Sequence, residues 1–229
     1  MIPDTGLREV SSIVRSSRSF IEVGCGGGSP VSLVTSSQQY SIGIDIDRRS
    51  LERNRRAGYY KEYVQASATD LPFRKGSVES AFMFGVLDHL EKHDGTLALE
   101  SMENIARRFV VVKDRSGPAP FEETGYRNSR TEFRASWRPA ELRERGYTVL
   151  GLGGLKLIHP YRLTDRNHNP PIRLELLIPL LDFTQVILHR RPEQTFHMIG
   201  IKRKGDQERH ASTNLIPTAF QANNRMQEG

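Results

Sequence analysis

The stretch Phe20-Ile21-Glu22-Val23-Gly24-Cys25-Gly26-Gly27-Gly28 decides the fold. Three apolar residues, interrupted by one acid, run directly into a glycine cluster. Such a run reads as a buried parallel strand that turns sharply into a loop. Glycine suits the turn because it accepts positive φ and lets a ligand approach the backbone closely. The pattern Glu-x-Gly-x-Gly-x-Gly is complete at Glu22, Gly24, Gly26 and Gly28. A nucleotide-like cofactor is the expected occupant of the turn.

On the N-terminal side, Leu7, Val10, Ile13 and Val14 fall on one face of a short amphipathic helix over 4–17, with Asp4 or Thr5 as its cap. On the other side, Ser29-Pro30-Val31-Ser32-Leu33-Val34 reads as a helix start, Ser29 as N-cap and Pro30 in the first position. The glycine loop would then deliver the chain to a helix N-terminus. Tyr40–Asp45 is the second strand. Asp45 stands 21 residues after Gly24, where dinucleotide-type folds bind ribose hydroxyls. An ionised carboxylate only accepts hydrogen bonds, so it can take both from a vicinal diol. Arg48 to Ala57 reads as an exposed basic helix ended by Gly58, its arginines forming a solvated face.

Tyr60–Ala66 is the third strand, followed by the loop Ser67–Phe73, which Pro72 keeps irregular. Val78–Phe84, almost wholly apolar at its end, is a fourth and central strand. Gly85-Val86-Leu87-Asp88-His89-Leu90 follows it directly. Asp94 is placed to cap a helix running to about Arg107, with Ala98, Met102 and Ile105 on one face, and Phe109–Lys113 is the fifth strand. Strands alternating with helices give an open, doubly wound α/β sheet with helices on both faces. Ligands of such sheets bind beyond the carboxyl ends of the strands. Glu22–Gly28, Asp45, Ser67–Ala68 and Phe84–His89 all lie there.

Farther on, 115–135 is rich in proline, glycine and charge, a long loop or lid. Pro139–Gly146 is a short helix, with proline at its start and glycine at its stop. Tyr147–Leu150 and Phe196–Ile201 are strands expected to pair as an antiparallel C-terminal end hairpin. From Lys202 the chain is polar and aperiodic, a flexible tail. The expected organisation is one domain over 1–204, with 115–195 as a substrate-side lid or insertion and 205–229 as tail.

The 229 residues carry a net charge of +6. That excess is compatible with nucleic acid or an anionic membrane as partner, but no aromatic-basic motif accompanies it, and a solvated basic surface is favoured. Cys25 is the only cysteine, which excludes an internal disulfide and any multi-cysteine metal site. It points to a reducing, cytoplasmic setting. No apolar signal segment opens the sequence. The apolar stretch 172–188 contains Arg173, Glu175, Pro179 and Asp182, which suits it poorly to a bilayer. His93, His159, His168, His189, His197 and His210 lack ligand spacing, so no metal is expected.

A dinucleotide oxidoreductase would show Gly-x-Gly-x-x-Gly, whose last position here is Ser29. Taken together, Phe20–Gly28, Gly43–Asp47, Ala68–Phe73 and Phe84–Glu91 instead resemble the class I S-adenosylmethionine-dependent methyltransferases, in particular the type 11-like branch with its Rossmann-like sheet. The resemblance covers about 18–115 and extends to Trp137–Gly146 and Phe196–Lys202. It implies S-adenosylmethionine as cofactor. Gly24, Cys25 and Gly26, with Gly28 closing the turn, would pass under its methionine and ribose, and Glu22 would orient its amino group. Asp45 would hold the ribose hydroxyls, Ile46 would lie against the adenine, and Ser67 and Ala68 would reach the adenine edge. Phe84 would contribute backbone contacts near the methionine end. The family commonly has an acid where this chain has Ser67.

Methyl transfer from a sulfonium is an in-line displacement that needs alignment and a dry pocket more than a catalytic triad. His89, just past the fourth strand, is the candidate general base, set against a purely structural role at a helix start. Cys25 reads as a small cofactor-facing residue, and Trp137 as packing between helix and sheet. The expected function is methyl transfer to a small-molecule or lipid-like acceptor. An RNA or protein methyltransferase and a non-catalytic cofactor-binding module are the alternatives.

Overall fold

The computed structural model describes residues 5–26, 28–117, 133–155 and 184–205. Seven strands form one sheet: β1 (Ser19–Val23), β2 (Tyr40–Asp45), β3 (Glu62–Gln65), β4 (Val78–Phe84), β5 (Ala106–Arg115), β6 (Thr148–Leu155) and β7 (Thr195–Arg203). Their order is β3-β2-β1-β4-β5-β7-β6. The pairs from β3 to β5 are parallel, while β7 runs antiparallel to both β5 and β6. This is the doubly wound, mostly parallel sheet with an antiparallel C-terminal end. The chain leaves β1 toward β2 on one side and later fills β4 on the other, so a crevice opens beyond Val23 and Phe84.

Alternation along β1 explains both layers of the core. Ile21 and Val23 face one way, with Ile44, Ala81, Met83, Val110 and Val112, under α3 (Lys92–Ile105) and Trp137. Phe20 faces the other way with Phe82 and Val111, under Val10, Ile13 and Val14 of α1 (Thr5–Ser16) and Leu51 of α2 (Arg48–Ala57). A fourth helix, α4 (Pro139–Glu144), buries Leu142 on the α3 side. Asp47 caps α2 through a bond from Arg49 N, and Gly58 closes it. Trp137 is buried and donates from Nε1 to Leu87 O at 3.2 Å, a packing role.

Several sequence expectations are corrected. No helix forms after the glycine loop: residues 30–34 make successive turns, with Ser32 N bonded to Ser29 O and Val34 N to Val31 O. Ser29 Oγ does accept from Val31 N, as an N-cap would. However, Ser32 Oγ and Thr35 Oγ1 donate to the backbone carbonyls of Ser29 and Val31. Side chains that compete for backbone partners in this way weaken a helix, and the β-branched valines add to the effect. Of this segment Val31 enters the core and Val34 packs at its margin, while Leu33 is 78% exposed.

The third strand is shorter than Tyr60–Ala66, because Tyr60 turns into the core and bonds Glu22. Asp94 lies within the first turn of α3, whose N-cap position is Glu91. β5 is longer at both ends than Phe109–Lys113, since β7 pairs with it as far as Arg115. Lys202 and Arg203 belong to β7 rather than to a tail. Of the expected lid or insertion over 115–195, residues 118–132 and 156–183 lie outside the described residues, and with them most of the apolar stretch 172–188; so does the tail from 206. The last part of that stretch, 184–188, is helical. No helix among the described residues is long and apolar enough to cross a membrane.

Candidate active site

The glycine turn hangs from the end of β1 by two backbone bonds, Gly24 N and Cys25 N both donating to Ile44 O of β2. Gly24 has φ +71°, and a Cβ there would lie 2.3 Å from Val86 Cγ2. Only glycine meets both conditions. Gly26, at φ +52°, has nothing nearer to an added Cβ than its own loop at 3.9 Å, so space is open above it. The side chain of Asn54, buried in α2, clamps the turn from below by donating to Gly26 O at 2.6 Å.

Asp45 ends β2 beside this turn. Its two carboxylate oxygens accept from Gly26 N and Asp47 N, each at 2.8 Å. Each oxygen keeps a further lone pair. Glu22 is fully buried, with Tyr60 donating to Oε2 while Oε1 has no hydrogen-bond partner. Burial pushes its carboxyl up to about 7, against the opposing pull of the Ser29 and Tyr60 hydroxyls. Ile46 is 71% exposed at the end of β2. Ser67 bonds the Thr69 hydroxyl at 2.8 Å and receives Thr69 N, so its hydroxyl shapes its own loop. Phe84 ends β4 half-buried across the crevice, and Ala68 packs at the margin of the core.

Cys25 is corrected. Its side chain points into the core with Val31, Leu51 and Tyr60, and Asn54 Nδ2 donates to Sγ at 3.3 Å. Burial, reinforced by the charges of Asp45 and Glu22, pushes the thiol up to about 12. It is neither a nucleophile nor a surface that meets a ligand. Only its backbone belongs to the turn.

Beyond the carboxyl ends of β4 and β5 lies a cavity of about 250 Å³, lined by Gly85, Asp88, His89, Lys113, Asp114 and Arg115 with Phe133, Phe196 and His197. His89 ends a single 3-10 turn, Leu87–His89, that follows β4. Its Nε2 stands 3.5 Å from Asp88 Oδ1. Asp88 is buried and accepts from Arg115 Nε at 2.7 Å through Oδ2. Asp114 receives Arg115 N at 2.7 Å and Asp88 N at 3.3 Å. Burial, with the negative charge of Asp88 alongside, raises the Asp114 carboxyl well above the usual carboxylate range. The Phe133 ring covers the group: Arg115 Cζ is 3.5 Å from its centroid, and the His89 ring stacks on it at 5.0 Å.

Residues 21–108 match the family described as a methyltransferase domain. The match takes in 88 of the 229 residues. Among solved structures, a SAM-dependent methyltransferase from Thermotoga maritima, described as a possible histamine N-methyltransferase, superimposes with TM-score 0.57 at 14% identity, over 88% of each chain. Magnesium protoporphyrin IX methyltransferase from Synechocystis, with bound SAM, gives 0.51 at 11% identity, over 88% of this chain and 79% of that one. Geranyl diphosphate C-methyltransferase from Streptomyces coelicolor gives 0.55 at 14%, over 86% and 76% respectively. At such identities the shared feature is the fold. No curated protein matches the sequence.

Three features of the turn are left unused within the chain. Glu22 Oε1 is a buried acceptor without a partner, Asp45 retains lone pairs, and the space over Gly26 is open. The structure brings Glu22, Gly24, Gly26, Gly28 and Asp45 together, with Ile46 beside them. His89 sits apart from them in the neighbouring cavity. Asp88, Asp114, Arg115, Phe133 and His197 were missed by sequence reasoning. A signal existed for three of them. Asp114-Arg115 ends an apolar strand with two charges, and Asp88 precedes His89 directly after another strand. Phe133 and His197 reach the cavity through tertiary contacts alone.

Proposed function

We propose that the chain is an S-adenosylmethionine-dependent methyltransferase that transfers the methyl group to a small-molecule acceptor held in the cavity beyond β4, β5 and β7. The observation that carries the reading is that this cavity, lined by both ionisable and aromatic side chains, lies past the end of β4, the strand beside β1 from which the glycine turn hangs. Its volume of about 250 Å³ suits a small molecule better than a polymer chain.

When bound, the cofactor supplies an activated methyl group on a sulfonium, leaving the protein to bind, align and exclude water. Gly24, Cys25, Gly26 and Gly28 cradle it by backbone, and Glu22 Oε1 takes a hydrogen bond from its amino group. Asp45 accepts from the ribose hydroxyls. Ile46 covers the adenine, Ser67 and Ala68 border it, and Phe84 adds backbone contacts near the methionine end. His89 receives a proton from the acceptor, and Asp88 stabilises the resulting imidazolium at 3.5 Å.

Titration calorimetry with S-adenosylmethionine tests the assignment. The wild-type chain binds, and Asp45→Ala binds about 10- to 100-fold more weakly, the loss of hydrogen bonds to a charged acceptor. Equal affinity of the two proteins would remove Asp45 from the site.

A further inference from the structure

Beneath the glycine turn, one buried amide holds the turn with its donor end and leaves its acceptor end idle. Asn54 is fully buried in α2. Its Nδ2 donates to Gly26 O at 2.6 Å and to Cys25 Sγ at 3.3 Å. A carbonyl oxygen can only accept, so the donor end of the amide must face the turn. Oδ1 is then left buried with no hydrogen-bond partner among the described residues. A buried acceptor without a partner costs stability, and a hydrocarbon side chain of similar size would avoid that cost. What the amide supplies in return is its hold on Gly26.

Gly26 is where such a hold matters. At φ +52°, with nothing nearer to an added Cβ than its own loop at 3.9 Å, it has little steric restraint. Two side chains fix it instead. Asn54 holds its carbonyl, and Asp45 Oδ2 takes its N–H at 2.8 Å. Asp45 Oδ1 accepts from Asp47 N, also at 2.8 Å. Two N–H groups therefore set the plane of the Asp45 carboxylate, and one of them keeps its place only while Gly26 does. Asn54 is itself anchored. Its backbone carbonyl accepts from Tyr63 Oη at 2.8 Å and from Tyr59 N at 3.3 Å, and Tyr63 Oη accepts from Tyr60 N at 3.0 Å. Leu51, one turn earlier in α2, sits in the core.

We propose that Asn54 is a positioning residue for cofactor binding, which fixes Gly26 and through it aims the Asp45 carboxylate at the ribose hydroxyls. The assignment rests on the methyl-transfer reading above. Fully buried under the turn, Asn54 acts through Gly26 and Asp45 and not by contact with the cofactor. It orders the turn before the ligand arrives, so that less ordering is left for binding to supply.

Titration calorimetry with S-adenosylmethionine on the full chain tests the proposal, with thermal melts of the ligand-free proteins alongside. Asn54→Leu fills the place of the amide with hydrocarbon. It weakens cofactor binding by about tenfold, the loss of one hydrogen bond's worth of order, while melting at or above the wild-type temperature. On an Asp45→Ala background the same change weakens binding by less than about twofold more, because the group it positions is gone. Where leucine does not fold, Asn54→Ala takes its place and the coupling to Asp45→Ala decides. Unchanged affinity in a folded variant overturns the proposal, as does a loss that adds in full to that of Asp45→Ala. A loss in Asn54→Leu that comes with a lower melting temperature, or failure of both variants to fold, makes Asn54 a residue of the fold and overturns it as well. Each of these results, with the wild-type chain binding the cofactor, sinks this assignment alone. Absence of wild-type binding sinks the methyl-transfer reading and this assignment with it.

Discussion

Replacing Glu22 by glutamine should remove a pH dependence that the wild-type chain carries in its core. Glu22 is fully buried in the middle of the sheet, paired in register with Gly43 on one side and Phe82 on the other. Burial raises its carboxyl from 4.5 to about 7. Below about pH 4.5 the group is protonated in both folded and unfolded chains, and its contribution to stability is fully present. As the pH rises toward 7 the unfolded chain releases the proton while the folded chain still holds it, so stability falls. Above the folded value it is level again. At about 1.4 kcal/mol per pH unit the shift amounts to a loss of about 3 kcal/mol across that window.

Glutamine keeps an acceptor for the Tyr60 hydroxyl but does not titrate. Asp114, also raised by burial, falls in stability in the same direction, but it is present in both proteins and cancels from their difference. Urea unfolding at half-unit steps from pH 4 to 8 therefore reads Glu22 alone as wild type minus Glu22→Gln. Parallel pH profiles for the two proteins would refute the reasoning. On the proposed contact between Glu22 and the amino group of the cofactor, the sign reverses for binding. A cationic amino group favours the ionised carboxylate, so wild-type affinity rises through about pH 7, while that of Glu22→Gln stays level.

Three other outcomes follow from the same geometry. Gly24→Ala puts a methyl 2.3 Å from Val86 Cγ2 at φ +71°, and should cost about 1–3 kcal/mol in urea unfolding. Adding Val86→Ala should recover the steric part only. Asp88→Ala leaves Arg115 buried without its partner and should destabilise by about 3–5 kcal/mol. A loss below 1 kcal/mol would show that water reaches the guanidinium. Cys25, buried with its thiol pushed up to about 12, should react with a thiol reagent only at the rate of global unfolding. Fast labelling of the folded chain would contradict its place in the core.

Local chemistry made the glycine-turn half of the candidate site legible. Phe20 to Gly28 must be a strand that breaks at glycine, because an apolar run ending in residues without Cβ has few other solutions. Asp45 is one strand farther on, at a distance set by the chain itself. The same logic misled at Ser29, where a cap and a proline announce a helix. The serine and threonine hydroxyls beyond them take backbone partners instead. Cys25 was misread because direction within a turn depends on what packs beneath it, here Asn54 of α2.

The sequence by itself determined the α/β order, the glycine turn and the carboxylate that ends β2, because each is written in residues adjacent along the chain. Only the tertiary structure decided the cavity beyond β4 and β5. Asp88 comes from the turn after β4 and Arg115 from the end of its neighbour β5, and Phe133 covers Arg115 from a later segment. Such a cluster has no spacing to read. It exists because strand pairing brings the two ends together and because burial makes an unpaired charge costly.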